Sequence, residues 1–218
     1  MKDILIRVKR LFRLRFAVLY PLGLYGLIFS GANDESICTG LWFILPGVVF
    51  RLWANSYAVK TERLTTCGPY AFMRNPLYLG TMLILLGFVL LLRIYLPGAV
   101  TLLIFALAYA RTIRKEEGQL EQIYGEAYRE YKRAVPSFLP RLTPYPAGEK
   151  WAFSLERLWR SKEHKVFVWL FAVIVALHLR SELWVEKENM HSRLWLWIAF
   201  ALVLVMWDIV SELRSRRG

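Results

Sequence analysis

The sequence predicts an all-α fold: a polytopic membrane helical bundle with about six transmembrane helices. Three observations carry that prediction. The chain is 56% hydrophobic. Its charges are segregated, with long uncharged runs separated by short polar segments. Its lysines and arginines fall overwhelmingly on one side of those runs. A soluble domain of this length spreads its charge along the chain instead.

The uncharged runs are 16–32, 36–50, 77–92, 94–110, 166–179 and 194–207. About 20 apolar residues cross the hydrocarbon, and about 17 suffice. The first four runs reach or approach that length with their neighbours. The last two are short and require tilt or snorkelling flanks. The basic segment Met1–Arg15 has the look of a signal-peptide start. No A-x-A-like site follows it, so the first run reads as a retained helix.

With the N-terminus in the cytoplasm, 24 lysines and arginines lie inside and four outside, while Arg51 lies within a span. This positive-inside pattern predicts cytoplasmic N- and C-termini. It also accounts for the net charge of +12 without nucleic acid, because the basic residues are split among membrane flanks that meet anionic lipid. Cys38 and Cys67 would sit on opposite sides of the bilayer, too far apart to pair. His164, His178 and His191 lack metal-ligand spacing.

Two parts are expected. Residues 1–140 hold four spans and the polar segments richest in motif. Residues 141–218 open on the Pro-rich break Pro140–Pro146. An amphipathic stretch at about 149–163 follows, with Trp151, Leu155, Leu158 and Trp159 at helical spacing, as suits an interfacial helix. The last two runs then form a hairpin. Between the parts, Thr112–Val135 is polar yet helically spaced (Leu120, Ile123, Tyr124, Tyr128, Tyr131). It reads as a cytoplasmic continuation of the fourth span, bent at Gly125 and ended by Pro136.

Three polar features could carry chemistry. Arg51 and Asn55 share a helix face late in the second span. A charge at that depth lines a cavity or snorkels to lipid phosphate, and both readings stand. The segment Thr66–Gly80 has a Gly68-Pro69 turn and puts Pro76 in the first turn of the third span. Free N–H groups there, beside Arg74 and Asn75, suit an anionic group, although on spacing alone an ordinary capped loop with an interfacial tyrosine is the better account. The run Arg114-Lys115-Glu116-Glu117 is either a solvated charge run or a carboxylate pair neutralised by cations or a ligand. Tyr128 is either a pocket wall or core.

Taken together these segments resemble a known family. Thr66–Gly80 is similar to the "GPYRYVRHPxYxG" signature of the isoprenylcysteine carboxyl methyltransferase and phospholipid methyltransferase family. Arg114–Leu120, Tyr124-Gly125, Tyr128, Tyr131, Val135-Pro136 and Phe138-Leu139-Pro140 resemble its "RxEExxL…YGxxYxxY…VPxFLP". Arg51–Ala54 resembles its "RxWA" lead-in. The likeness spans residues 40–140, with both long signatures in order.

The resemblance implies a membrane enzyme with a cytoplasmic pocket for S-adenosylmethionine. It implies that Gly68, Pro69, Tyr70, Arg74, Asn75, Pro76, Tyr78, Leu79, Glu116 and Glu117 bind the cofactor. Arg74, Asn75 and Glu117 are the candidate catalytic residues, and Arg51, Asn55 and Tyr128 the candidate substrate contacts. Asn75 stands where the signature often has His; it can exchange hydrogen bonds but cannot act as a base. The expected reaction is methyl transfer to a lipid, prenylated or other membrane-dissolved acceptor. Rival readings are a membrane NADPH-dependent reductase and a non-catalytic lipid-binding protein. No metal is implied.

Overall fold

The computed structural model describes residues 31–58, 63–148, 153–161 and 170–177, and these are helical or irregular, with no strand among them. Helix α1 (Asp34–Tyr57) starts in a reciprocal cap: Ser36 N–H donates to Asn33 Oδ1 at 2.9 Å, and Asn33 N–H donates to Ser36 Oγ at 3.0 Å. Asp34 and Glu35 in its first turn complement the helix dipole. Helix α2 (Pro76–Leu92) packs antiparallel along α1.

Glycine makes that packing close. A β-carbon on Gly40 would stand 2.6 Å from the Gly87 carbonyl oxygen, and one on Gly47 would stand 2.6 Å from that of Gly80. Apolar side chains gain little from meeting each other in lipid, so close backbone approach supplies the attraction instead. Ile44 fits between the glycine pairs and is fully buried. Polar ties close both ends: Ser36 Oγ donates to the Leu91 carbonyl at 2.9 Å, and Arg51 Nη1 donates to Thr81 Oγ1 at 2.6 Å.

The chain turns at Arg93, whose φ is 56°, into the 30-residue α3 (Tyr95–Tyr124). At 1.5 Å per residue α3 is about 45 Å long, against about 30 Å of hydrocarbon, so its last turns extend beyond a bilayer. Glu116 and Glu117 lie on those turns. Helices α1 and α3 are both long and apolar enough to cross a membrane, and α2 is a shorter apolar helix. Trp42, Leu45 and Val49 on α1 and Leu96, Val100, Leu103 and Leu107 on α3 are exposed, a surface suited to lipid rather than water. Between the helices Ile44, Leu91, Ile94 and Leu177 form a buried cluster, so residues 170–177 of the fifth apolar run pack on the α1–α2 pair.

One expectation is corrected. Thr112–Val135 is not one bent helix: α3 ends at Tyr124, and a separate α4 (Glu126–Ala134) begins after Gly125. Gly125 has φ 56° and ψ −126°, which an L side chain resists, so the break needs glycine. Within the expected amphipathic stretch the described residues 153–161 hold α5 (Leu155–Arg160), capped by Ser154 and tied to α1 where Arg157 Nε donates to the Ser56 carbonyl at 3.0 Å. The expected runs at 16–32 and 194–207, and the ends of the 149–163 stretch, lie outside the described residues. Cys38, exposed, and Cys67, buried, are not joined in a disulfide.

Candidate functional site

The end of α1, the start of α2 and the end of α3 meet at one end of the helix pair, and the segments between them build a site there. After α1 a 3-10 turn (Gly68–Ala71) leads to Asn75. Gly68 has φ +58°, and a β-carbon on it would strike the Tyr57 ring at 2.5 Å. Residues 71–75 are stitched to the segment after α4. Arg74 N–H donates to the Pro136 carbonyl (2.9 Å), Asn75 N–H to that of Ser137 (3.1 Å), and Tyr145 N–H to that of Ala71 (2.9 Å). Tyr131 on α4 adds its hydroxyl to the Tyr70 carbonyl at 2.6 Å. The two motif segments, far apart in sequence, are thus one structural unit.

Glu117 is the buried charge at its centre. Arg74 donates Nε (3.0 Å) and pairs Nη2 (2.9 Å) with its Oε1, and donates Nη1 to the carbonyls of Lys132 (2.6 Å) and Val135 (2.8 Å). Asn75 Nδ2 donates to the carbonyl and the hydroxyl of Ser137, both at 3.1 Å, and lies 3.4 Å from Glu117 Oε1. Ser137 Oγ also donates to that oxygen at 3.4 Å. Buried charge is tolerated only when paired and hydrogen-bonded in this way. Glu116 points elsewhere: the Tyr78 hydroxyl donates to its carboxylate at 2.8 Å.

A cavity of about 230 Å³ opens against this cluster. Tyr70, Arg74, Asn75, Pro76, Tyr78, Glu116, Glu117 and Tyr128, all singled out in the sequence, line it. Gly68, Pro69 and Leu79 do not: the first two shape the turn, and Leu79 lies in the first turn of α2, where its N–H donates to the Asn75 carbonyl at 3.3 Å. Arg51 and Asn55 are also off the cavity wall. Arg51 is engaged with Thr81 between α1 and α2, and Asn55 Nδ2 donates to the Arg51 carbonyl at 2.9 Å. The Asn75 side chain makes no cap bond to α2, because its amide is turned to Ser137 and Glu117.

Sequence reasoning missed Ser137, Lys132 and the wall residues Arg63, Leu64 and Thr65. Ser137 occupies the variable position inside Val135-Pro136…Phe138-Leu139-Pro140, which a signature passes over. Tyr128 and Tyr131 are both wall and core, packed with Val135, Leu64, Leu120 and Tyr124. Burial, with Glu116 close by, raises the Tyr70 phenol well above the ordinary tyrosine range. Burial and Glu117 do the same to Tyr128, and burial with Tyr70 beside it to Tyr131. These phenols are therefore neutral in the folded protein. No three His, Cys, Asp or Glu side chains among the described residues gather to hold a metal.

Residues 35–127 match the phospholipid methyltransferase family. The chain is 33% identical over 138 residues to the cobalt-zinc-cadmium resistance protein CzcN of Cupriavidus metallidurans, covering 62% of this chain and 63% of that one. It is 32% identical over 109 residues to the nickel-cobalt-cadmium resistance protein NccN of Alcaligenes xylosoxydans xylosoxydans, covering 49% and 51%. To the protein-S-isoprenylcysteine O-methyltransferase of Schizosaccharomyces pombe it is 28% identical over 129 residues, covering 56% and 55%. The matches span between about half and under two thirds of the relatives' own lengths. No solved structure matches the chain.

Proposed function

We propose that this chain, which over residues 35–127 matches the phospholipid methyltransferase family and is similar to an isoprenylcysteine methyltransferase, is an integral membrane S-adenosylmethionine-dependent methyltransferase. Its acceptor is a lipid, a prenylated molecule or another membrane-dissolved compound. One observation carries the reading: the two motif segments close on one cavity whose walls combine a carboxylate pair, the start of a helix, and apolar and aromatic faces.

The residues present fit the cofactor by the chemistry of their donor and acceptor groups. Carboxylates at Glu116 and Glu117 suit an ammonium and ribose hydroxyls. The first turn of α2, where Pro76 and Leu77 border the cavity, suits a carboxylate. Leu64, Leu120 and Tyr124 suit an aromatic base. The cavity is smaller than the roughly 300–1,000 Å³ of most ligand sites, so a cofactor extends through its open side.

The cofactor supplies an activated methyl group on a sulfonium. The chain's own part is to hold it and to align the acceptor in line with the methyl while excluding water. Arg74 and Asn75 act in this reading by fixing Glu117, and Asn75 moves no proton. The site faces the cytoplasm, with both termini on that side, as the distribution of lysine and arginine supports. Residues 1–140 form the catalytic part, and 141–218 an added membrane-associated part.

The test is transfer of a labelled methyl group from S-adenosylmethionine into a total lipid extract by the purified chain in detergent or liposomes. Labelled product identifies the acceptor class. Failure to transfer, with failure to bind the cofactor at millimolar concentration, sinks the proposal.

A further inference from the structure

Glu117 uses its two oxygens unequally. Oε1 takes both Arg74 nitrogens within 3.0 Å, with Asn75 Nδ2 and Ser137 Oγ at 3.4 Å. Oε2 meets, among the described residues, only the Lys132 ammonium, at 3.8 Å. That is an ion pair beyond hydrogen-bond reach. The same ammonium lies 3.5 Å from Oε2 of Glu121, one turn further along α3.

The two cations beside Glu117 differ in freedom. The Arg74 guanidinium is pinned by the carboxylate on one edge and by two backbone carbonyls on the other. Lys132 is a point charge on a flexible stem, its side chain 41% exposed, with a second carboxylate in reach. Its backbone carbonyl, not its side chain, serves the Arg74 clamp. The charge of Lys132 is therefore not needed to build the site, yet it faces the one carboxylate oxygen that the clamp leaves open.

We infer that Lys132 is a displaceable counterion that sets the site's preference between ligands differing by one positive charge. It shields Glu117 Oε2 when no ligand cation is near and passes to Glu121 when one arrives. The inference rests on the cofactor reading above. S-adenosylmethionine and its demethylated product, S-adenosylhomocysteine, share the ammonium, and the methyl donor carries one further positive charge on its sulfonium. Lys132 therefore disfavours the methyl donor relative to the product, and Glu121 relieves that penalty by drawing the lysine away.

The test is calorimetric binding of each compound to the detergent-solubilised full chain at low salt. The readout is the ratio of the product's Kd to the donor's Kd. Lys132→Met keeps the stem and removes the charge, and should raise this ratio about two- to five-fold, the size of a partly exposed ion pair. Glu121→Gln leaves Lys132 to Glu117 alone and should lower it. Lys132→Arg, which keeps the charge, should stay near the unaltered value. The differences should shrink as salt is added. A Lys132→Met ratio that does not move, or equal weakening of both ligands, overturns the inference. If the unaltered chain binds neither compound, the cofactor reading falls and this inference falls with it.

Discussion

Gly47 and Gly80 meet backbone to backbone: a β-carbon on Gly47 would stand 2.6 Å from the Gly80 carbonyl oxygen, and one on Gly80 would stand 2.7 Å from that of Gly47. The obstacle is main chain, which cannot rotate away. Gly47→Ala or Gly80→Ala should therefore push α1 and α2 apart and cost about 1–3 kcal/mol, as overpacking does. Thermal unfolding in detergent should show a lower Tm for both. An unchanged Tm would mean that the helices are not held at this distance.

Gly125 and Gly118 make a matched pair for the break between α3 and α4. Neither has any heavy atom within 4 Å of a would-be β-carbon, so space does not distinguish them. Backbone does: Gly118 is in regular helix, and Gly125 is at φ 56°. Gly118→Ala should be neutral or stabilising by up to about 1 kcal/mol. Gly125→Ala should destabilise by about 1–3 kcal/mol. It should also loosen the cavity, because α4 carries Tyr128 and Tyr131 into its wall. Equal melting of the two variants would contradict the break.

These glycines show where the sequence was legible. Long uncharged runs report α1, α2 and the first half of α3 directly, because lipid-facing and core positions are both apolar. The α1 helix was legible past the end of its uncharged run, since Arg51 and Asn55 read as sharing one helix face and the helix continues to Tyr57. The helical spacing of Leu120, Tyr124, Tyr128 and Tyr131 survives the break at Gly125, so periodicity could not reveal a change in a single φ. The union of Arg74 and Asn75 with Glu117 and Ser137 joins residues 42 to 62 positions apart. Local spacing is silent about such contacts, and only the resemblance of the two motif segments to one family brought them together. Arg51 was legible as an unusual charge, but its engagement with Thr81 depends on the α1–α2 register.

Glu117→Gln and Glu116→Gln should both weaken binding of S-adenosylmethionine. Loss of a charge-assisted bond costs about 1.5–3 kcal/mol, or roughly 10- to 150-fold in Kd. The variants should differ in their effect on folding. Glu116 is exposed and held by the Tyr78 hydroxyl, so its loss should leave Tm nearly unchanged. Glu117 anchors Arg74, so its neutralisation should lower Tm as well. Arg74→Met should be worse still, toward the 3–5 kcal/mol of a broken buried pair, with Lys132 moderating the loss. Unchanged affinity in both glutamate variants would return the pair to a solvated charge run.

The raised phenols give the fold an alkaline limit. For Tyr70, Tyr128 and Tyr131 the folded-state pKa lies above the unfolded value of about 10. Their contribution is therefore fully present below about pH 10 and is lost as pH rises through the folded pKa, because the unfolded chain releases those protons first. Tm measured from pH 8 to 11.5 should fall steeply beyond pH 10. Tyr128→Phe should flatten that fall, whatever its effect at pH 8. An unaltered slope would assign the alkaline loss to other groups.

The acceptor's apolar tail should control its reactivity. The cavity adjoins the ends of three apolar helices, and its walls include Leu64, Leu77, Leu120 and Ile123 beside the carboxylates. Ile123 is 62% exposed, as befits a residue at a membrane boundary rather than on a watery surface. The outward faces of α1 and α3 are apolar, so a compound dissolved in the bilayer meets the site at the depth of its own head group. Each methylene moved out of water contributes about 0.8 kcal/mol, so an acceptor shortened by four should lose about 3 kcal/mol of binding or partitioning. At fixed cofactor, a chain-length series should therefore show a steep rise in kcat/KM with tail length, while the reacting head group stays the same. The kcat at saturation should change much less, because the tail contributes equally before and during methyl transfer. Equal turnover of a fully water-soluble head group would place the acceptor in the aqueous phase and would rule out entry from the membrane.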